Sequence, residues 1–322
     1  MPHLASTFQE FLRNYGPLIR SEFSGAYDMW PSMIPSLFNR QNTQNTLEKV
    51  GGSTPLGLLG VFKGQENVVQ SEPLWTKTRE FTEFDASVYL ERKLIDDVNV
   101  PEVLRRIINL ADAARTSQEV FAAELFNEAD QTTFTYDNTS FNNTTPDGLA
   151  LASNSHLYSP SDATVQDNLS TSAFSDTALS AAITAMKKFR DSMGQPMVVR
   201  PDTLIVGPHL EMTAKQILPA VQVAGNANND SNPLNPDKGQ WSVWPGGMRL
   251  LVWNFLDGTS AATTPWYLID STLAARSLFW FDRIAPDLSP AQEKDNHQIK
   301  YGVYARWGVL ASDWRWLYAN IP

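Results

Sequence analysis

The stretch PEVLRRIINLADAARTSQEVFAAELFNEA, residues 101–129, decides how the rest of the sequence is interpreted. Pro101 suits a first helical position, and Glu102 suits the positive end of a helix dipole. Apolar and small side chains recur at three- and four-residue steps: Val103, Ile107, Leu110, Ala114, Ser117, Phe121 and Leu125. The pattern predicts one helix over 101–128, which would span about 42 Å at 1.5 Å per residue. The charged residues of the opposite side are expected to face solvent: Arg105, Asp112, Arg115 and Glu119.

Before this helix, residues 1–50 are predicted to form an irregular apolar arm. Short helical patches such as 8–12 alternate with MWPSMIPSLFNR, residues 29–40, where Pro31 and Pro35 interrupt regular structure. So many apolar side chains are seldom left in solution. The arm should therefore dock on its own body or on a neighbouring chain.

Residues 51–98 are predicted to form a β-ribbon with a lead-in strand. Turn glycines punctuate VGGSTPLGLLGVFKGQENVV, residues 50–69, and the stretch WTKTREFTEFDASVYLE, residues 75–91, alternates between apolar and polar positions. No Gly-Lys-Ser/Thr follows the glycines, so a ribbon is favoured over a nucleotide-binding loop.

After the long helix, the polar segment 130–170 predicts an extended loop, and a second helix is predicted over Asp176–Met193. An apolar strand, Thr203–Val206, then enters Gly207–Pro208, and a helix is expected from His209 to Leu218. A glycine corner followed by a helix N-terminus can hold an anion. The corner is thus either a ligand pocket or a place where strand and helix pack together.

The C-terminal part of the chain is rich in aromatic residues. The last 82 residues hold eight of the ten tryptophans, which predicts a β-rich region with a large aromatic core. Short strands are expected in MRLLVWNFL, PWYLID and SLFWFDRI, and an alternating strand pattern runs through 298–321.

Residue patterns for catalysis or metal binding are absent from the sequence. The four histidines have no metal-ligand spacing: His3, His156, His209 and His297. Adjacent Asp96 and Asp97 lack the opposed arrangement of a catalytic pair. Four residues of a long flexible loop could ring a calcium ion, but their spacing departs from a calcium loop: Asp230, Asn232, Asn235 and Asp237. No catalytic residue, cofactor or metal is therefore predicted.

Composition excludes several classes of function. The net charge is −10 and no basic run occurs, so sequence-specific nucleic-acid binding is not expected. The absence of cysteine excludes disulfides, cysteine-ligated zinc and thiol catalysis. No apolar run approaches the roughly 20 residues of a membrane span, and the N-terminus has no secretory pattern. The protein is expected to be made in the cytoplasm.

The order of arm, ribbon, long helix, polar loop, strand-helix corner and aromatic β-rich end resembles the major capsid proteins of tailed phages. Within this Hong Kong 97-type fold, the chain is similar to the Mu-like major head subunit group. The resemblance covers most of residues 76–320. Its clearest stretches are TREFTEFDASVYLERKLIDD at 78–97, PDGLALASNSHLYSP at 146–160, the segment 169–218, and YGVYARWGVLASDWRWLYA at 301–319.

The resemblance implies an α+β capsid fold with five parts. They are an N-terminal arm (1–50), an E-loop ribbon with lead-in strand (51–98), a P domain (99–215) whose spine helix is 101–128, an A domain with β-strands (216–298), and C-terminal strands returning to the P domain (299–322). Gly207–Pro208 then becomes a structural corner rather than a phosphate cradle.

The implied function is structural rather than enzymatic. Copies of the chain would form pentamers and hexamers and self-assemble into the icosahedral head of a virion. That head would enclose double-stranded DNA without binding it specifically, and portal, scaffolding and decoration proteins would be further partners. Two alternatives stay open: an encapsulin-like compartment shell, and a soluble enzyme using the 203–211 corner or the 230–237 loop.

Contacts between subunits are expected from the arm, from the ribbon and from the Asn-rich loop 224–240. The ribbon would overlap one neighbour, the arm would clamp another, and the loop would point toward a five- or six-fold axis. Some family members join subunits through a Lys–Asn isopeptide bond, but nothing marks Lys63 or Lys77 as reactive. The predicted contact residues are Phe8, Phe11, Trp30, Phe38, Leu59, Phe62, Lys63, Trp75, Asn229 and Asn232.

Overall fold

The fold is described from a computed structural model of the chain. It describes residues 4–53, 61–62, 64, 73–91, 93–94, 100–218, 247–256, 263–293 and 298–322. The helices are α1 (Leu4–Met29), α2 (Ile34–Leu37), α3 (Val100–Asn127), α4 (Asp176–Met186), α5 (Glu211–Ile217) and α6 (Ser271–Ser277), with a 3₁₀ turn at Pro208–Leu210.

The described strands form two sheets and three two-stranded pairs. The strands are β1 (Asn39–Asn42), β2 (Leu47–Ser53), β3 (Pro73–Glu80), β4 (Thr82–Glu91), β5 (Thr133–Tyr136), β6 (Thr139–Asn142), β7 (His156–Ser159), β8 (Asp162–Gln166), β9 (Leu169–Ser170), β10 (Thr203–Val206), β11 (Arg249–Val252), β12 (Trp266–Ile269), β13 (Leu278–Glu293), β14 (Gln298–Ala311) and β15 (Leu317–Asn320). One sheet has the order β1-β13-β14-β4 and the other β11-β10-β12-β15-β9, while β2-β3, β5-β6 and β7-β8 are separate pairs.

The spine helix α3 confirms the helix predicted over 101–128. Five positions of its predicted stripe are buried, and Ala114 and Ser117 are half-buried. The prediction for the other side was wrong at two positions, because Arg115 and Glu119 are buried. A second element covers that side of the helix. The sequence pattern of this second element is too interrupted for it to be predicted from the sequence.

That second element is the N-terminal helix α1, where an irregular arm was expected. It runs unbroken from Leu4 to Met29 and contains Pro17. Its buried side chains face α3 and the β13–β14 hairpin: Phe11, Ile19, Phe23 and Ala26. The prolines at 31 and 35 follow the helix rather than interrupt it. Tertiary burial therefore outweighs the weak local helix signal.

The centre of the main core is Phe121 of α3. Its ring makes edge-on contacts with Phe84, Phe134, Phe141, Trp280 and Trp307 at centroid distances of 5.1–6.3 Å. Phe84 lies flat on Trp307 at 3.9 Å. These rings come from α3, β4, the β5–β6 hairpin and the β13–β14 hairpin, so the cluster joins the long helix to the sheet. The expected aromatic C-terminal core is confirmed.

The polar segment 130–170 is more ordered than an extended loop. It contains two hairpins, β5–β6 and β7–β8, followed by β9. Its buried amides satisfy backbone groups: Asn143 donates to the carbonyls of Leu125 and Glu128, and Asn168 donates to that of Leu151. Side-chain amides thus replace an apolar core here, which explains why hydrophobic patterning missed the strands.

Helix α4 begins as predicted at Asp176, where the Ser175 side chain caps it, but it ends at Met186 rather than Met193. Phe189 nevertheless remains buried in the same cluster. The chain after Lys187 forms turns, in which Met197 donates to the carbonyl of Phe189.

Strand β10 confirms the predicted strand and leads into a tightly packed corner. A Cβ on Gly207 would lie 2.9 Å from Thr264 Cγ2 and 3.2 Å from the carbonyl oxygen of Leu256. The corner therefore requires glycine because other backbone approaches closely, and no side chain fits. Pro208–Leu210 and α5 follow, as expected for the helix at 209–218.

Strand pairing crosses the expected domain boundaries, which stay predictions. β10, from the segment assigned to the P domain, pairs with β11 and β12 from the segment assigned to the A domain. β13, from the latter segment, lies beside β14 and continues the sheet of the lead-in strand β4. Long-range pairing rather than chain order defines the two sheets.

Candidate functional site

The ribbon is the first candidate assembly element. Strands β2 and β3 pair antiparallel from Leu47 opposite Glu80 to Gly51 opposite Thr76, so a ribbon is present. It begins at Leu47, within the segment predicted as the arm, and the bounds 51–98 stay a prediction. A Cβ on Gly51 would lie 2.8 Å from Thr76 Cγ2, so the two strands approach closely there. Trp75 is half-buried at this level.

Two cations of β3 fasten the base of the ribbon to the turn after the β5–β6 hairpin. Lys77 Nζ donates to the carbonyl of Thr144, and Arg79 Nη1 donates to that of Asn142 at 3.4 Å. Burial, with help from the neighbouring charge of Arg79, lowers the pKa of Lys77 to about 8. Burial also lowers the pKa of Arg79. Neither anchor was recognised from the sequence, although two cations at alternate positions of a strand were a usable signal.

The far part of the ribbon is exposed where it is described. Val61 is 80% and Phe62 72% exposed. Large apolar side chains with that exposure suit contact with another surface. The predicted contact residues Leu59 and Lys63 lie outside the described residues.

The N-terminal helix is held on the spine helix by a row of polar contacts. Arg115 Nε donates to the Tyr27 carbonyl at 3.1 Å, and its guanidinium lies 4.2 Å from the centre of the Tyr27 ring. Tyr27 Oη donates to Gln118 Oε1 at 2.5 Å. Burial raises the pKa of Tyr27, while Arg115 opposes that shift. Trp30 Nε1 donates to Asp112 Oδ1 at 2.9 Å.

Glu119 completes this row and positions the chain after α1. Its carboxylate accepts from Ser32 Oγ at 2.5 Å and from the Met33 backbone N–H at 3.2 Å. The buried charge is thereby satisfied by two donors of the segment that starts α2. The acidic and basic positions 112, 115 and 119 lie on one helix face, so their spacing could have indicated a polar docking surface.

A third attachment joins β1 to the sheet. Arg40 Nε donates to Asp282 Oδ2, while Trp280 Nε1 donates to Asp282 Oδ1 at 2.9 Å. Asp282 is buried, so both oxygens need these partners. The strand therefore fixes where the chain leaves the body toward the ribbon.

The structure separates the remaining predicted contact residues. Phe11 and Phe38 are buried in the chain's own core, so in this conformation neither presents surface to a neighbour. Trp30 is 52% exposed despite its hydrogen bond to Asp112. The side chain of Phe8, and all of Asn229 and Asn232, lie outside the described part of the chain.

One pair resembles acid–base machinery, but its surroundings make it structural. His156 Nδ1 lies 2.7 Å from Asp147 Oδ2, and the imidazole stacks on Trp314 at 4.4 Å. Burial opposes the charged form of Asp147, but hydrogen bonds from His156, Thr145 and the Leu149 backbone lower its pKa. His156 is fully buried, so no substrate reaches it. The pair joins the 143–150 turn to β7.

Other sites considered in the sequence gain no support. His209 is exposed, as a solvent-facing residue should be. Asp96, Asp97 and the 230–237 loop lie outside the described residues. Within the described ranges, no three His, Cys, Asp or Glu side chains converge on a possible metal position. None of the helices described here has the length and apolar character to cross a membrane.

Comparison with solved structures identifies the fold. The chain is similar to the capsid of Ralstonia phage GP4, with 12% identity, TM-score 0.54, and coverage of 88% of this chain and 87% of that one. The capsid of the native GTA particle gives 10% identity, TM-score 0.53 and 91% coverage of both chains. The capsid of bacteriophage JBD30 decorated with minor capsid protein trimers gives 15% identity, TM-score 0.54, and coverage of 71% and 92%. The mixed helix-and-sheet architecture is the Hong Kong 97-type capsid fold.

Sequence comparison agrees with the fold. A search among curated proteins found no significant match. The profile described as phage capsid protein matches residues 77–320, from the base of the ribbon to the last strand. The match extends over the spine helix, the five-stranded sheet and, apart from β1, the four-stranded sheet. The chain belongs to the phage capsid protein family, and it is a structural major capsid subunit of the shell.

Proposed function

We propose that this subunit builds an icosahedral phage head by projecting its ribbon over a neighbouring subunit within pentamers and hexamers. The exposure of Val61 and Phe62, at 80% and 72%, is the observation that carries the proposal. Lys77 and Arg79 hold the base of the ribbon on the body of the subunit, so the two strands leave the body from a defined position. A fixed base and an apolar end suit a heterologous contact, in which different surfaces of two copies meet.

The N-terminal helix has a different role from the one first expected. Its apolar stripe covers the spine helix of the same chain, which leaves only its outer side for a neighbour. Met29 and Trp30 are exposed at 69% and 52% and form the surface through which the arm would touch another subunit. Asn229 and Asn232 would contribute from the 224–240 loop near a symmetry axis.

The enclosed genome would contact the wall without specific binding. The net charge of −10 opposes adhesion of a polyanion. The subunit acts without catalysis, is made in the host cytoplasm, and belongs to the Mu-like major head group. It works with portal, scaffolding and decoration proteins that complete the head.

Negative-stain electron microscopy after size-exclusion chromatography tests this function. Purified protein at moderate salt is expected to form rings of five or six, sheets or closed shells. A homogeneous monomer or dimer at high protein concentration, unchanged on co-expression with the neighbouring head genes, would contradict the proposal.

A further inference from the structure

A cleft of about 340 Å³ lies between the N-terminal helix and the β13–β14 hairpin. Four residues of α1 and three of the hairpin line it: Leu12, Gly16, Pro17, Arg20, Leu288, Pro290 and Tyr301. The cleft is separate from the ribbon, and the assembly contacts proposed above make no use of it.

The space exists because α1 has a notch at this point. A Cβ placed on Gly16 would meet nothing within 4 Å, so the helix leaves open volume where a side chain could lie. The next residue, Pro17, has no N–H to donate to the carbonyl of Arg13. A glycine and a proline in the middle of α1 lower its helix propensity. The empty volume beside them adds nothing to the packing of the core.

Two of the residues that line this mainly apolar space, Tyr301 and Arg20, carry hydrogen-bond donors. Tyr301 is only 2% exposed, yet its hydroxyl has no hydrogen-bond partner among the residues that the structure describes. Burial raises the pKa of Tyr301 to about 12, and the charge of nearby Arg20 opposes the shift. The phenol is therefore a protonated donor at neutral pH. Arg20 is exposed and makes no ion pair with any residue that the structure describes.

We propose that this cleft binds a small apolar carboxylate. The aliphatic part would lie against Leu12, Leu288 and Pro290, and the carboxylate would accept hydrogen bonds from the Tyr301 hydroxyl and the Arg20 guanidinium. Such charge-assisted bonds are shorter and stronger than neutral ones. The carboxylate would give the buried Tyr301 hydroxyl a hydrogen-bond acceptor, whereas a purely apolar ligand would leave that hydroxyl unpaired.

Binding here would also strengthen the docking of the arm. The ligand would contact α1 and the hairpin together, so it would bind the docked state in preference to the undocked one. By mass action it raises the stability of that state. The cleft is thus a point at which a small molecule would influence the N-terminal helix without touching the ribbon.

Three probes of equal chain length test the proposal on the full 322-residue chain. Sodium octanoate, octan-1-ol and octylamine would be titrated by calorimetry, with the thermal midpoint measured in parallel. Octanoate is expected to bind about tenfold or more tightly than octan-1-ol, because only it pairs with both donors. Octylamine should bind most weakly because Arg20 repels it. Equal affinities for the three probes would overturn the proposal.

Variants locate the site. Arg20→Met should weaken octanoate about tenfold and leave octan-1-ol unchanged. Gly16→Leu should fill the cleft and abolish binding of both probes, and since leucine favours helix over glycine it should not unfold α1. Gly25→Leu is the matched control, because a Cβ there also meets nothing within 4 Å and Gly25 does not line the cleft. Octanoate binding that survives Gly16→Leu, or is unaffected by Arg20→Met, would overturn the assignment.

Discussion

The N-terminal helix and the ribbon both carry apolar side chains that the sequence predicted to dock, on the same chain or on a neighbouring subunit, yet they differ in where those side chains lie. Ile19 and Phe23 of α1 are 1% and 5% exposed. Val61 and Phe62 of the ribbon are 80% and 72% exposed. Apolar content alone therefore does not distinguish an element that packs on its own chain from one that requires another copy.

The difference arises from what each element can reach. The stripe of α1 recurs at helical spacing and meets a complementary stripe on the spine helix, where Arg115 and Glu119 supply partners for the polar groups. The ribbon is two strands wide, and its described attachments, Lys77 and Arg79, both lie at its base. A two-stranded ribbon gains little stability alone, so we expect a second copy to stabilise it.

The largest expected effect comes from truncating the buried side of the arm. Phe23→Ala should lower the free energy of unfolding by about 3–4 kcal/mol, since it leaves a cavity between α1 and the spine helix. Met29→Ala, at a position that is 69% exposed, is the control and should change stability by less than about 0.5 kcal/mol. Urea denaturation measures both. Equal, small effects would mean that the arm is not docked.

A smaller loss of unfolding free energy is expected when the polar contacts between α1 and α3 lose the Glu119 carboxylate. Glu119→Ala leaves Ser32 Oγ and the Met33 N–H without their partner and should cost about 2 kcal/mol. Glu119→Gln keeps one acceptor oxygen in nearly the same shape and should cost less. Limited proteolysis should cut near 30–33 faster in the alanine variant. If the two variants behave alike, Glu119 does not hold the arm through these hydrogen bonds.

Local patterns predicted much of the fold but missed the docked arm. The spine helix and the strand at Thr203–Val206 were found because their apolar residues recur within one element at a single period. Helix α1 was missed because Gly16 and Pro17 lie inside it and Pro31 and Pro35 follow soon after its end, so its local helix signal is weak. Its stability comes from a partner helix about a hundred residues away, and a single sequence shows no such pairing.

The candidate site was predicted least well where polar groups are buried. The ribbon was predicted from alternation and turn glycines. Phe62 is exposed, and its contact with a neighbouring subunit stays a prediction. The burial of His156 and Asn168 was not foreseen, because polar residues carry no hydrophobic period. Their roles depend on partners brought together only by the fold.

The anchor of the ribbon gives a pH dependence. The pKa of Lys77 is about 8 in the folded chain against an ordinary 10.5. Between these values the unfolded chain binds more protons, so this group makes stability rise with pH through that window. Below the window it adds no pH dependence, and the buried ammonium keeps its full desolvation cost. The rise should be roughly 2 kcal/mol after allowance for solvent screening. Lys77→Met should remove it, whereas Lys49→Met, at an exposed position on β2, should not. The free energy of unfolding would be measured by denaturation at pH 7–11. If it rises equally with pH in Lys77→Met and in the wild type, the Lys77 ammonium is not buried in the folded chain.

The smallest effect on stability should accompany the clearest effect on assembly. Phe62→Ser removes an exposed ring, so the free energy of unfolding should change by less than about 0.5 kcal/mol. If the ribbon completes its packing only against a second copy, the same change removes an apolar contact from every subunit interface of the shell, and such losses add over the whole particle.

Val198→Ser is the control, because Val198 is 95% exposed but lies outside the ribbon. Electron microscopy should show shells for Val198→Ser and few or none for Phe62→Ser. Normal shells from Phe62→Ser would mean that the exposed end of the ribbon is not a contact, and the contrast between ribbon and arm would then concern burial alone.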